Sequence, residues 1–171
     1  MCILGFEIDF NLKIKECIVM QISTKGRYGL RAVLELARSS GDKPVSTKEI
    51  SQKQRITIPY LEQLFFRLKH KGFVKSVRGA QGGYFLAKDP EDISVGDIIE
   101  CLDGPIEFTD CKATSDGHST CIGPENCMAI SFWDDLKASL NEKLYGTSLA
   151  DLLDDFKKKK MRMKEGIETE A

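Results

Sequence analysis

Residues 46–72 read STKEISQKQRITIPYLEQLFFRLKHKG, and this stretch decides the fold. Ser46 and Glu49 have the spacing of a helix capping box, which predicts a short helix to about Lys53. A tight break at Arg55 and Ile56 follows. Thr57 then caps a longer helix that tolerates Pro59 in its first turn. Leu61, Leu64, Phe65 and Leu68 form one apolar stripe along it, and Gly72 can end it. Two helices joined by so short a break are the core of a helix-turn-helix.

The flanking sequence extends that unit. Upstream, Ser23 or Thr24 caps a helix with apolar positions Leu30, Val33, Leu34 and Ala37, closed by a turn at Gly41, Asp42 and Pro44. Downstream, Phe73–Val77 predicts a strand, Arg78–Gly83 a glycine-rich loop and Tyr84–Leu86 a return strand. A glycine-tipped hairpin behind the second helix makes a winged helix-turn-helix. Ser94 and Asp97 cap a further helix carrying Val95, Ile98, Ile99 and Leu102, which Pro105 closes. Residues 106–126 have no period and read as a loop. From Met128 to Tyr145, Trp133, Leu136, Leu140 and Leu144 recur at three- and four-residue steps, a seam suited to a partner helix. Leu149, Leu152, Leu153 and Phe156 mark a short last helix, and Lys157–Lys160 with the polar end read as a frayed tail rather than a second DNA contact.

The expected architecture is mainly α with a small β-hairpin wing: a winged helix-turn-helix domain plus a long C-terminal dimerisation helix. Its parts are 1–19, an extension or misassigned start ahead of Met20; 20–90, the winged domain; 91–127, a connecting helix and cysteine-rich loop; 128–160, the dimerisation helix and the short helix; and 161–171, a tail.

Charge separates these parts. The chain's net charge is −1, yet residues 20–90 hold 14 basic and 5 acidic groups while residues 91–171 hold 9 and 18. A net charge of +9 over one domain is the footprint of a polyanion binder; a merely basic solvated face is the competing reading. No apolar run approaches the ~20 residues of a membrane span, and the N-terminus lacks the pattern of a secretory signal, which makes cytoplasm the expected compartment. The glycine-rich loop joins two strands, so a dinucleotide-binding turn does not fit. Neither a nucleophile–base pair nor paired carboxylates accompany the cysteines, so the chain does not read as an enzyme. A metalloenzyme or electron-transfer protein using the same cysteines, and a protein-binding winged helix, are the rival classes.

On the reading helix, Pro59, Tyr60, Glu62, Gln63, Phe66 and Arg67 lie away from the apolar stripe. Gln63 can pair bidentately with adenine, Glu62 can accept from cytosine or stand as a solvated carboxylate, and Arg67 can serve a base or a phosphate. Phe66 either packs on the first helix or meets a thymine methyl. At the wing, Arg78 beside Gly79, Gln81 and Gly82 can approach the minor groove. Lys25, Arg27 and Tyr28 would sit near phosphates.

Met20–Ala32, Pro59–Leu64 and Ser76–Tyr84, in that order, resemble the Rrf2 family of bacterial regulators, with the similarity running from Met20 to about Phe156. The resemblance implies a homodimer crossed through the long helix, a palindromic duplex operator, a major-groove role for Tyr60–Arg67 and a minor-groove role for Arg78.

Cys111, Cys121 and Cys127 share the loop, with nine and five residues between them. Soft thiolates suit an iron–sulfur cluster or zinc; unliganded thiols are the plain alternative. The trio matches the family's cluster-binding members, which implies a 2Fe–2S cluster with one non-cysteine ligand. Two departures leave that ligand open. Ile130 stands where some members have histidine, and Arg27 where others have an acidic residue that reaches the partner's cluster. His118, Glu125, Asn126 or a partner residue are the candidates. With His118 the trio could equally form a Cys₃His zinc site. Cys101 reads as core, while Cys2 and Cys17 lie outside the similarity.

Overall fold

The computed structural model describes residues 22–39, 43–79, 81–106 and 123–168, with side chains to Lys164. In chain order the elements are α1 (Thr24–Ser39), α2 (Thr47–Gln54), α3 (Ile58–His70), β1 (Val74–Val77), β2 (Gly83–Leu86), α4 (Val95–Asp103), α5 (Ile130–Tyr145) and α6 (Leu149–Glu168). Single 3-10 turns lie at Pro90–Asp92 and Pro124–Asn126. The segments 1–19 and 107–122, with most of the cysteine loop, lie outside the described residues.

The helix-turn-helix forms as its sequence dictates. Ser46 Oγ accepts from the Glu49 N–H at 3.2 Å and starts α2. Arg55 ends it in the left-handed region at φ 53°. Thr57 takes the N-cap position of α3 with no side-chain cap bond, so Pro59 in the first turn and tertiary packing set that start. Leu61, Leu64, Phe65 and Leu68 are all buried. They meet Val33 and Leu36 of α1, Ile50 of α2, Ile98 and Leu102 of α4 and Leu149 of α6 in one core. Strands β1 and β2 pair antiparallel with Ser76 opposite Tyr84. Tyr84 also exchanges backbone bonds with Val45 at 3.0 and 2.9 Å and stacks on Phe65 at 4.4 Å, which roots the wing in the core.

Two expectations need correction. The face α1 buries is centred on Ala32, Val33, Leu36 and Ala37, with Leu30 and Leu34 only partly covered. Gly26 and Gly29 share that face because α4 lies directly against it: a Cβ on Gly29 would stand 1.9 Å from Leu102 Cδ1. The last helix is not short. It continues through Lys157–Lys160 to Glu168, because lysine, arginine and methionine are good helix formers and no breaker interrupts them before Gly166. It is anchored at its start: Leu149 N–H donates to Ile93 O and Val95 N–H to Thr147 O, both at 2.9 Å. Ser148 and Asp151 cap it reciprocally at 2.9 and 3.1 Å.

Candidate nucleic-acid interface

The α3 stripe fixes what its other face presents. With Leu61, Leu64, Phe65 and Leu68 in the core, Pro59, Glu62, Gln63, Phe66 and Arg67 come together around one open concavity of about 650 Å³. All five are exposed. Phe66 is 72% exposed, so it does not pack on α1; an apolar ring stands on the outward face of α3. Tyr60 is half-buried, its ring edge-on to Tyr28 at 6.1 Å, and Arg31 lies over the Tyr28 ring at 5.3 Å. This joins the start of α1, where Lys25 and Arg27 are exposed, to the N-terminal half of α3.

At the wing Arg78, Gly79 and Gln81 are exposed and Gly82 is half-buried. A Cβ on Gly82 would lie 2.5 Å from Val77 O, so only glycine fits this turn. Lys69 Nζ donates to Ser76 Oγ and ties the end of α3 to β1.

Three side-chain links were not legible in the chain. Arg67 Nη1 donates to Leu102 O at 3.4 Å. Asp103 accepts from Ser23 through both its backbone N–H (2.9 Å) and its hydroxyl (2.5 Å). The last turn of α4 therefore holds α3 on one side and the start of α1 on the other. Glu35 of α1 is the third. It is 4% exposed and bonded to Arg38, Lys53, Gln54 and Ser39 at 2.7–3.1 Å. Burial alone would raise its pKa, but these donors and the Arg38 charge outweigh it and lower the carboxyl to about 2.

Cys127 is half-buried at the end of the Pro124–Asn126 turn, three residues before α5 begins at Ile130. Glu125 and Asn126 are exposed beside it. Cys111, His118 and Cys121 lie outside the described residues. Cys101 packs against the main core, and burial pushes its thiol up, which suits a core side chain better than a ligand. Among the described residues no helix is long and apolar enough to cross a membrane.

Residues 22–155 match the family model described as Rrf2, iron-dependent transcriptional regulator. The chain is 40% identical over 136 residues to the HTH-type transcriptional regulator IscR of Yersinia enterocolitica, covering 80% of each. Among solved structures it resembles CymR, the global cysteine regulator of B. subtilis: TM-score 0.65, 40% identity, 78% of this chain and 96% of that one. It also resembles T. potens IscR, with TM-score 0.63 and 44% identity over 79% of this chain and 87% of that one.

Proposed function

The chain belongs to the Rrf2 family of DNA-binding transcriptional regulators, and on that premise we propose that it is a homodimer reading a palindromic operator, gated by a 2Fe–2S cluster. Family members are regulators, not enzymes. The observation that carries the reading is the single exposed face on which α3 gathers Pro59, Glu62, Gln63, Phe66 and Arg67 beside the wing. Gln63 and Glu62 would read base edges, and Phe66 would meet a thymine methyl. Arg78, with Gly79, Gln81 and Gly82 leaving room beside it, would enter the minor groove. Lys25, Arg27, Tyr28, Pro59, Tyr60 and Arg67 would set register on the backbone.

Cys111, Cys121 and Cys127 would hold the cluster. Three soft thiolates fit iron, and the half-buried Cys127, fixed at the foot of α5, fits a partly shielded site. His118, Glu125, Asn126 or a partner residue would complete the set. The bound cluster would supply sensitivity to oxidants, nitric oxide or iron supply. The chain's own part is transmission. Ile106, the last described residue before the cysteine loop, lies three residues past Asp103, whose bonds to Ser23 and whose neighbour's bond to Arg67 reach both DNA-reading elements. A cluster held by the loop would bias that turn of α4, and coupling of this kind is on the order of 1–3 kcal/mol.

The test is operator binding by anaerobically purified protein against a Cys111→Ser/Cys121→Ser/Cys127→Ser variant. The expected result is visible cluster absorption in the wild type only, with affinities differing about 5- to 150-fold between the two. Equal affinities on every operator would leave the loop a structural role. A colourless protein holding zinc would favour the Cys₃His reading.

A further inference from the structure

Six of the eight residues from Lys157 to Lys164 are basic, and they lie in α6 beyond the residues that the family model matches. All eight are exposed, Met161 and Met163 at 62% and 60%. Acidic residues flank the run, Asp151, Asp154 and Asp155 before it and Glu165, Glu168 and Glu170 after it. Lys157 pairs with Asp154 at 2.8 Å, and Lys160 lies over the Phe156 ring at 5.3 Å. Among the described side chains no carboxylate pairs with Lys159, Arg162 or Lys164. Lys158 and Arg162, and Lys160 and Lys164, are like charges one turn apart, which destabilises a helix unless an anion lies along it.

A line of contacts that includes several cations runs from the proposed DNA-reading surface to Lys160 of this segment. From Tyr60 on α3 the contacts run through Tyr28 to Arg31, whose guanidinium donates to Gln54 Oε1 at 3.2 Å at the end of α2. Arg31, Arg38, Lys53 and Lys160 then border one cleft of about 510 Å³ between α1, α2 and α6. Its one carboxylate, Glu35, is already bonded by Arg38, Lys53 and Gln54. In a helix-turn-helix the helix ahead of the reading helix crosses the DNA backbone, so this path starts where the backbone runs.

We propose that Lys157–Lys164 is a second polyanion-binding surface, taking the phosphates of duplex DNA that flanks the operator. The contact is sequence-independent and lengthens the footprint. A lipid surface fits less well: at ~100° per residue Met161 and Met163 stand about 160° apart, so the segment has no single apolar face to insert.

The test uses the full chain with Lys157, Lys158, Lys159, Arg162 and Lys164 changed to Gln; Lys160 stays because it borders the cleft. Two duplexes carry the same operator, selected by the wild type from random sequence, one with no flanks and one with ~15 base pairs of unrelated sequence on each side. Each phosphate contact contributes about 0.9 to the slope of log affinity against log salt. The wild type is expected to bind the long duplex roughly tenfold or more tightly than the short one at low salt, with a steeper slope. The variant should lose that advantage while matching the wild type on the short duplex. A wild type with no flank advantage, or a variant that keeps it, overturns the proposal. So does a loss seen only on phosphatidylserine vesicles, which would assign the segment to lipid. If the quintuple variant loses helical circular dichroism, Arg162→Gln alone decides, since it must lower the slope on the long duplex and not on the short one.

Discussion

Helices α3 and α5 carry the same kind of sequence signal and end in opposite states. Each carries four apolar residues on one face at helical spacing. In α3 all four are buried within this chain. In α5 only Leu144 is buried; Leu136 is 38% exposed, and Phe132 beside the seam is 61% exposed. Periodicity therefore reports that a helix has a face, not where the face is covered. The α3 stripe is satisfied by α1, α2 and α4. The α5 stripe is covered at its C-terminal end, where Leu144 joins Val95 and Ile99 of α4 in a small cluster bordered by Leu140, Leu30, Ile106 and Leu152; under the proposed homodimer, the exposed Leu136 and Phe132 would be covered by a second copy.

This contrast sets the largest expected effects. Phe65→Ala should destabilise the protein by roughly 3–5 kcal/mol at any protein concentration, since it empties a site stacked on Tyr84 and closed by the core. Leu136→Asp with Leu140→Asp should leave the winged domain folded and convert a dimer to a monomer. Thermal unfolding at several concentrations and sedimentation separate the two cases. A double variant that stays dimeric would show that the seam is not the interface.

Among the described residues of the winged domain Glu35 is the one buried charge, and it makes acid the next probe. Glu35 titrates near 4.5 when unfolded and is lowered to about 2 when folded, so the ionised form is favoured by folding. Its contribution is fully present above pH 4.5 and is lost as pH falls through about 2. Acid unfolding of the wild type should steepen in that window, and Glu35→Gln should flatten it. An unchanged profile would mean that other carboxyls dominate.

The contrast also explains what was legible in the sequence. Local chemistry was: the Ser46–Glu49 spacing, the Ser94–Asp97 capping box and the α3 stripe each depend on residues within a few positions. Long-range chemistry was not. Ser23 and Asp103 are 80 positions apart, and neither residue type announces the other. The burial of α1 was misjudged because its close approach to α4 uses glycines and its buried face includes Glu35, neither of which scores as apolar. The length of α6 was underread because a lysine run looks solvated whether it is helix or coil. On α3, the residues that the apolar stripe leaves outward, Pro59, Glu62, Gln63, Phe66 and Arg67, are exposed around one concavity, and the exposure of Phe66 excludes its packing on α1. Most of the cysteine loop lies outside the described residues, so its ligand set rests on donor chemistry and resemblance.

A smaller effect tests the wing against the reading helix. Arg78→Ala should weaken operator binding by about 1–3 kcal/mol and lower its salt slope, with no change in thermal stability, because Arg78 is exposed at the wing tip. Unchanged binding and slope would remove the wing from the interface and leave α3 to read alone.

The smallest effect falls on the turn of α4 that touches both reading elements. Asp103→Asn keeps a side chain of the same shape but removes the charge that receives both Ser23 donors. Two outcomes oppose each other. If Asp103 acted only as a negative charge near the phosphates, its loss would tighten operator binding, most at low salt. If it positions α1, binding weakens at every salt concentration, since Lys25 and Arg27 follow Ser23 by two and four residues. Positioning should prevail: the carboxylate is half-buried, both oxygens are engaged, and it faces the N-terminus of α1, where an anion is favoured by the helix dipole. A charge-assisted cap of this kind contributes on the order of 1 kcal/mol, so affinity should fall about fivefold with a somewhat lower salt slope as Lys25 and Arg27 lose phosphate contact, and thermal stability should drop by a similar energy. Tighter binding at low salt would instead make Asp103 a repulsive charge and detach α4 from the reading of DNA.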